Sequence, residues 1–292
     1  MRILRAAHLG MCFGVRDAIE LAVEQSGTAP LTVLGDLVHN DAVLARLRAK
    51  GIASAKDPAL ATTRTVMVTA HGTSERSLAR TRALGLEVVD ATCPLVHVAH
   101  RAVRALVHDG YHPVIIGQRG HVEVRGMTED LEAFDVVLDE ADVQALAPRP
   151  RFGVAAQTTQ PIERVRRLVE CIERRFADAD VRFIDTVCRP TKQRQTAAVD
   201  LARQSDIVIV VGGASSNNTR QLVETCARYC SRVHHVQTEA DLSRDWFFGA
   251  GTVGLTAGTS TPDDVIDRVE SRIRTFVVRG DAGIAGAIGA SL

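Results

Sequence analysis

Short runs of β-branched residues alternate with amphipathic helical runs along the chain from end to end, and this rhythm limits the fold more than any other feature. Strands separated by helices have room to lie parallel, so the pattern predicts α/β architecture with mainly parallel sheets. The expected strands are Ile3–Ala7, Leu31–Gly35, Thr65–Ala70, Glu87–Ala91, His112–Gly117, Phe134–Leu138, Phe152–Ala156, Val181–Val187, Asp206–Val211, Arg232–Val236 and Thr252–Thr256. Helices are expected at Val15–Gln25, Asp41–Ala49, Glu75–Leu84, Leu95–His108, Ile162–Phe176, Arg194–Gln204, Thr219–Tyr229 and Pro262–Phe276.

With 292 residues, 46% of them hydrophobic, there is core enough for two or three compact units. Lys+Arg and Asp+Glu both number 35, so no basic field would gather nucleic acid or anionic lipid. One Trp and two Tyr offer no platform for stacking bases. The first residues lack the apolar run of a signal peptide, and the longest apolar stretch, Ile207 to Val211, is far too short for a membrane span. The expected location is the cytoplasm, with no nucleic-acid or membrane partner.

In open parallel sheets, ligands bind beyond the carboxyl ends of the strands. Cys12, His39, His71, Cys93, His121 with Glu123, Thr158, Cys188, the run Ser215-Ser216-Asn217-Asn218, and Ser260 all fall at such junctions. Ser, Thr and Asn there are helix caps first. The 215–218 run, however, offers more donors than one cap uses, after a Gly-rich entry that suits an anion. It lacks the Gly-Lys-Ser/Thr of a P-loop, and no GxGxxG follows the first strand. His39, His71 and His121 each follow a strand and could converge on phosphate oxygens. His8, His97, His100, His108, His112, His234 and His235 read as ordinary structural histidines.

Six cysteines in a reducing compartment are not a disulfide framework. Cys226 and Cys230 share the apolar phase of one helix and Cys171 lies at the edge of another stripe, so these three read as core. Cys12, Cys93 and Cys188 stand at strand ends, about 80 to 95 residues apart, each interval the length of a small α/β unit. The economical organisation is three units at 1–93, 94–187 and 188–280, with a Gly/Ala-rich flexible tail at 281–292. Three thiolates leave three options: zinc completed by His, a cubane cluster with one iron not held by protein, or a thiol relay. Structural zinc normally takes closely spaced pairs, which are absent here. An open iron is attractive chemically, as both Lewis acid and electron source.

Nine segments in order carry a resemblance. They are Gly10-Met11-Cys12-Phe13-Gly14-Val15, Val38-His39-Asn40, Ala70-His71-Gly72, Asp90 to Val96, Gly120-His121-Val122-Glu123-Val124-Arg125-Gly126, Gln157-Thr158-Thr159, Cys188 with Arg194-Gln195, Ser216-Asn217-Asn218, and Thr256 to Asp263. Together they resemble the LytB/IspH family of 4-hydroxy-3-methylbut-2-enyl diphosphate reductases, over nearly the whole chain. The resemblance implies three α/β domains in a trefoil-like, pseudo-threefold arrangement around a central [4Fe-4S] cluster ligated by Cys12, Cys93 and Cys188. It implies two-electron reductive loss of an allylic hydroxyl, giving isopentenyl and dimethylallyl diphosphates in the last step of the methylerythritol phosphate route. His39, His71 and His121, with Ser216, Asn217, Asn218 and Ser260, would hold the diphosphate. Glu123, aided by the Thr158 hydroxyl and with His121 beside it, would supply protons. A ferredoxin or flavodoxin would supply electrons. The chain departs from the family at Met11, Asn217 and Cys188-Arg189-Pro190, where Pro190 would fix the backbone beside the third ligand. A related cluster enzyme for another allylic diphosphate, and a phosphometabolite-binding redox sensor, are the competing readings.

Overall fold

The computed structural model describes residues 1–281; residues 282–292 of the expected tail lie outside the described residues. Twelve strands form three four-stranded sheets among the described residues, every pairing parallel. The chain divides into two compact units, Cys12–Lys192 and Met1–Met11 with the described residues from Gln193 onward.

The unit Cys12–Lys192 holds two sheets. In the first, strands β2 (Leu31–Leu34), β3 (Ala53–Ala55), β4 (Thr65–Val68) and β5 (Glu87–Asp90) run in the order β3-β2-β4-β5, with helix α1 (Phe13–Thr28) before them in the chain and α2 (Asp41–Ala49) and α3 (Glu75–Ala83) between them. In the second, β6 (His112–Ile116), β7 (Asp135–Val137), β8 (Arg151–Ala156) and β9 (Asp180–Phe183) run in the order β7-β6-β8-β9. Its helices are α4 (Pro94–His108), α5 (Val122–Thr128), α6 (Glu140–Ala145) and α7 (Ile162–Arg175). The inward stripe of α7, Val165, Leu168, Val169 and Ile172, follows helical period and packs on Val114, Phe152 and Val154.

The other unit builds one sheet in the order β1-β12-β10-β11, from β1 (Arg2–Arg5), β10 (Ile207–Val211), β11 (Val233–Val236) and β12 (Thr252–Ala257). Helices α9 (Asn217–Ala227) and α10 (Asp263–Asp281) belong to it, and α8 (Arg189–Ala202) leads into it. All five residues of β10 are fully buried, as a central parallel strand covered on both faces requires. The first strand of the chain, grouped by sequence with residues 1–93, pairs with β12.

Helices α5 and α6 were not among those expected, and further elements differ from the sequence expectation. The short edge strand β3 was not foreseen, because Ala-Ser-Ala carries little strand preference. Strand β9 ends at Phe183 rather than running to Val187. There Thr186 substitutes for a strand: its hydroxyl accepts from Ala156 N–H at 2.8 Å and donates to Ala156 C=O at 2.6 Å. Helix α8 begins at Arg189, not Arg194, and so takes Pro190 into its first turn, where the missing N–H has no helical partner to lose.

Candidate active site

Each of the three singled-out cysteines immediately precedes a helix: Cys12 before α1, Cys93 before α4 and Cys188 before α8. Neither Cys12 nor Cys93 caps its helix through the thiol, which leaves the sulfurs available. Backbone N–H groups of Leu95 and Val96 favour the anionic form of Cys93, and Thr191 does the same for Cys188, its hydroxyl lying 3.1 Å from Sγ. Burial outweighs these donors. It pushes the Cys93 thiol up and that of Cys188 to about 11, and the charges of Glu123 and Cys12 act on both in the same sense. All three are free thiols. Gly14 lets α1 approach Cys93: a Cβ there would lie 2.4 Å from the Cys93 sulfur.

This donor set suits a cationic metal group. Such a group would draw protons from thiols that burial otherwise keeps neutral, and the helix N-termini already favour negative sulfur. Among the described residues, no three His, Cys, Asp or Glu side chains gather as a site for a single metal ion.

His39 follows β2, His71 follows β4 and His121 follows β6, and the fold brings the three rings together. Their centroids are 4.3 Å apart for His39 and His71, 5.3 Å for His39 and His121, and 5.8 Å for His71 and His121. Burial, and then the two neighbouring rings, hold His71 well below the usual imidazole range, so it is neutral at pH 7. His121 caps α5 by accepting the Glu123 N–H on Nδ1 at 3.1 Å, which places its own proton on Nε2 in the neutral ring. The trio therefore presents clustered ring nitrogens, of which His71 is uncharged.

Glu123 sits in the first turn of α5 and is 2% exposed. Burial raises its carboxyl to about 7 against hydrogen bonds from the Thr158 backbone and hydroxyl. The Thr158 N–H donates to Oε1 at 2.6 Å, while the Thr158 carbonyl accepts the Cys188 N–H at 3.0 Å. One peptide segment thus ties the carboxyl group to a cysteine. Gln157 fixes that segment by accepting on Oε1 from Gln118 N–H and from the Gln160 amide, both at 3.0 Å.

In the other unit, Ser216 caps α9 by accepting from Thr219 N–H at 3.3 Å, and Asn217, Asn218 and Ser260 are almost wholly buried. Asn218 accepts the Thr259 N–H at 3.0 Å, and its Nδ2 is buried without a protein partner. That leaves a buried amide donor at a helix N-terminus. Arg194 donates from Nε and Nη2 to the Gly10 carbonyl at 3.1 and 2.7 Å, which fixes the backbone two residues before Cys12.

The family model described as LytB protein matches residues 3–274, a span that contains Cys12, His39, His71, Cys93, His121, Glu123, Thr158, Cys188, Ser216, Asn217, Asn218 and Ser260. The chain belongs to the LytB family. Relatives named 4-hydroxy-3-methylbut-2-enyl diphosphate reductase include that of Pelobacter propionicus, 39% identical over 94% of this chain and 98% of its own. That of Geobacter sulfurreducens is 38% identical over 94% and 98%. Among solved LytB-type structures, the E-1-hydroxy-2-methyl-but-2-enyl-4-diphosphate reductase of Plasmodium falciparum superposes with a TM-score of 0.86 at 28% identity, over 92% of this chain and 87% of its own. A second, titled (E)-4-hydroxy-3-methyl-but-2-enyl diphosphate reductase, gives 0.66 at 33% identity, over 94% and 100%. No helix among the described residues is long and apolar enough to cross a membrane.

Three contributors escaped the sequence reading. Thr191 was hidden because α8 was started too late; three residues after a helix-capping Cys188, it is a natural neighbour of the thiol. Gly14 is visible as a motif residue, but its contact with Cys93 is long-range. His100, read as core, is indeed buried, yet its Nε2 has no partner and burial lowers it to about 4. Its ring lies within 3.4 Å of where a Cβ on Gly72 or Gly126 would stand, wedged between the His71 turn and α5. Of the other structural histidines, His112 pairs with Asp135 at 2.8 Å and His234 stacks on Trp246, whereas His8 and His108 are exposed and not core.

Proposed function

We propose that this LytB-family chain reduces 4-hydroxy-3-methylbut-2-enyl diphosphate, with a [4Fe-4S] cluster on Cys12, Cys93 and Cys188 and Glu123 as the proton source. The reaction is the last step of the methylerythritol phosphate route to isoprenoids. The carbon–oxygen bond of the allylic hydroxyl breaks, two electrons and two protons enter, and water leaves with isopentenyl or dimethylallyl diphosphate. When bound, the cluster supplies electrons one at a time together with Lewis acidity. The electrons come from an external ferredoxin- or flavodoxin-type protein, in the cytoplasm.

The observation that carries this reading is the linkage of Glu123 through Thr158 to Cys188, with the Glu123 charge acting on Cys93 as well. A carboxyl group beside the thiols, held neutral to about pH 7, has a proton to give to a departing hydroxide. The Thr158 hydroxyl orients it. His39, His71 and His121 offer a cluster of ring nitrogens suited to the oxygens of a diphosphate. Ser216, Asn217, Asn218 and Ser260 are read as further phosphate contacts, on the strength of their buried cradle and the unpartnered Asn218 amide.

The test is anaerobic turnover of the hydroxylated diphosphate with a chemical reductant. Glu123→Gln should lower kcat by at least about 100-fold, the usual scale for loss of a general acid, with iron content unchanged. Full turnover by that variant would remove Glu123 from the mechanism, and no turnover by the unmodified, iron-replete protein would overturn the function.

A further inference from the structure

Within the unit Cys12–Lys192, a cavity of 440 Å³ opens at the carboxyl ends of β2, β3 and β4, with α5 along one side. His39 lines it; Cys12, Cys93, Cys188, Glu123, His71 and His121 do not, so it is a separate space sharing one wall with the histidine trio. Two cations line it from different elements, Lys56 just after β3 and Arg125 on α5, against one acid, Asp36. Among the described residues neither cation's side chain has an ion-pair or hydrogen-bond partner. The hydroxyl residues Ser54 and Thr69 add polar groups to the lining.

A solvated rim would account for one such cation. Two unpartnered cations lining one concave space, with an excess of positive charge and hydroxyl residues beside them, form a surface complementary to an anion. Arg supplies a planar fork and Lys a mobile point charge, a combination that suits tetrahedral phosphate oxygens. The position beyond the strand ends is where parallel sheets place ligands.

We propose that this cavity is a second anion site, taking the phosphate group of a small phosphorylated compound on Lys56 and Arg125. It rests on the proposed function only in being second to the histidine trio. Its occupant would bear on His39 and so would be felt by the first site.

Calorimetric titration of the intact, cluster-loaded chain with inorganic diphosphate, without oxygen, tests this. Two equivalents should bind. Lys56→Ala/Arg125→Ala should weaken one of them by about tenfold or more, the scale of losing two partly exposed charge-assisted contacts, and spare the other. His71→Ala should do the converse. One equivalent abolished by His71→Ala but not by Lys56→Ala/Arg125→Ala would overturn the second site, as would two equivalents unaffected by the double variant. One equivalent lost only in the double variant would uphold this cavity and count against the histidine trio instead. Because both cations are exposed, the double variant should keep the circular dichroism of the parent, which the same samples check. Repeating the titration with inorganic phosphate and with isopentenyl diphosphate distinguishes the sources: saturation by phosphate marks a free ion as occupant, and saturation by the organic diphosphate alone marks a metabolite.

Discussion

Burial of Glu123 sets a pH dependence whose sign is fixed. In the unfolded chain the carboxyl ionises near 4.5; folded, it keeps its proton to about 7. Its neutral form is therefore stabilising below pH 4.5, and that contribution is lost as pH rises through 7, by about 3 kcal/mol in all. Urea unfolding of the iron-free protein at pH 5 and pH 8 should show this loss, and Glu123→Gln should abolish most of it. Gly14 makes a second prediction. An added methyl would stand 2.4 Å from the Cys93 sulfur, too close to coexist, so Gly14→Ala must displace either α1 or the thiol. Iron bound after anaerobic reconstitution should fall at least to half, measured beside Phe13→Ala, whose exposed ring makes it the control.

At the level of elements, the recurring device is a strand, a short turn and a helix, with the residues of the proposed site at the helix entrance. Cys12, Cys93, His121, Cys188 and Ser216 all stand at helix entrances, where unpaired N–H groups favour negative charge. The segment between β9 and α8 belongs to the same logic. Thr186 closes the sheet edge by bonding both backbone groups of Ala156, freeing the chain to turn and deliver Cys188 next to Thr158. Thr186→Val keeps the shape and removes both bonds. It should cost about 2 to 3 kcal/mol and lower the thermal midpoint by several degrees, because a buried N–H and C=O lose their partner. Pro190 in the first turn of α8 is compatible with that turn.

For the whole molecule, the three cysteines come from stretches far apart in sequence, so a group held by all three would bind the folded chain and not the unfolded one. Stripping the iron should lower the thermal midpoint by about 5 °C or more, and Cys12→Ser, Cys93→Ser and Cys188→Ser should start from that lowered value. Cys171→Ser, in the α7 core, should retain full iron, read by the visible absorption of the protein. The apolar runs and their spacing made the parallel α/β fold legible, since strand burial and helical period are written locally. They also placed Cys12, Cys93, Cys188, His39, His71, His121 and Glu123 at strand ends. Sequence alone thus determined the fold class and named the residues on which the proposed function draws. Tertiary structure decided that β1 pairs with β12, that three histidine rings meet within 6 Å, and that Glu123 stays protonated to about pH 7. It also placed Lys56 and Arg125 on one cavity. Strand partners, ring distances and desolvation depend on groups distant along the chain, and no local pattern records them.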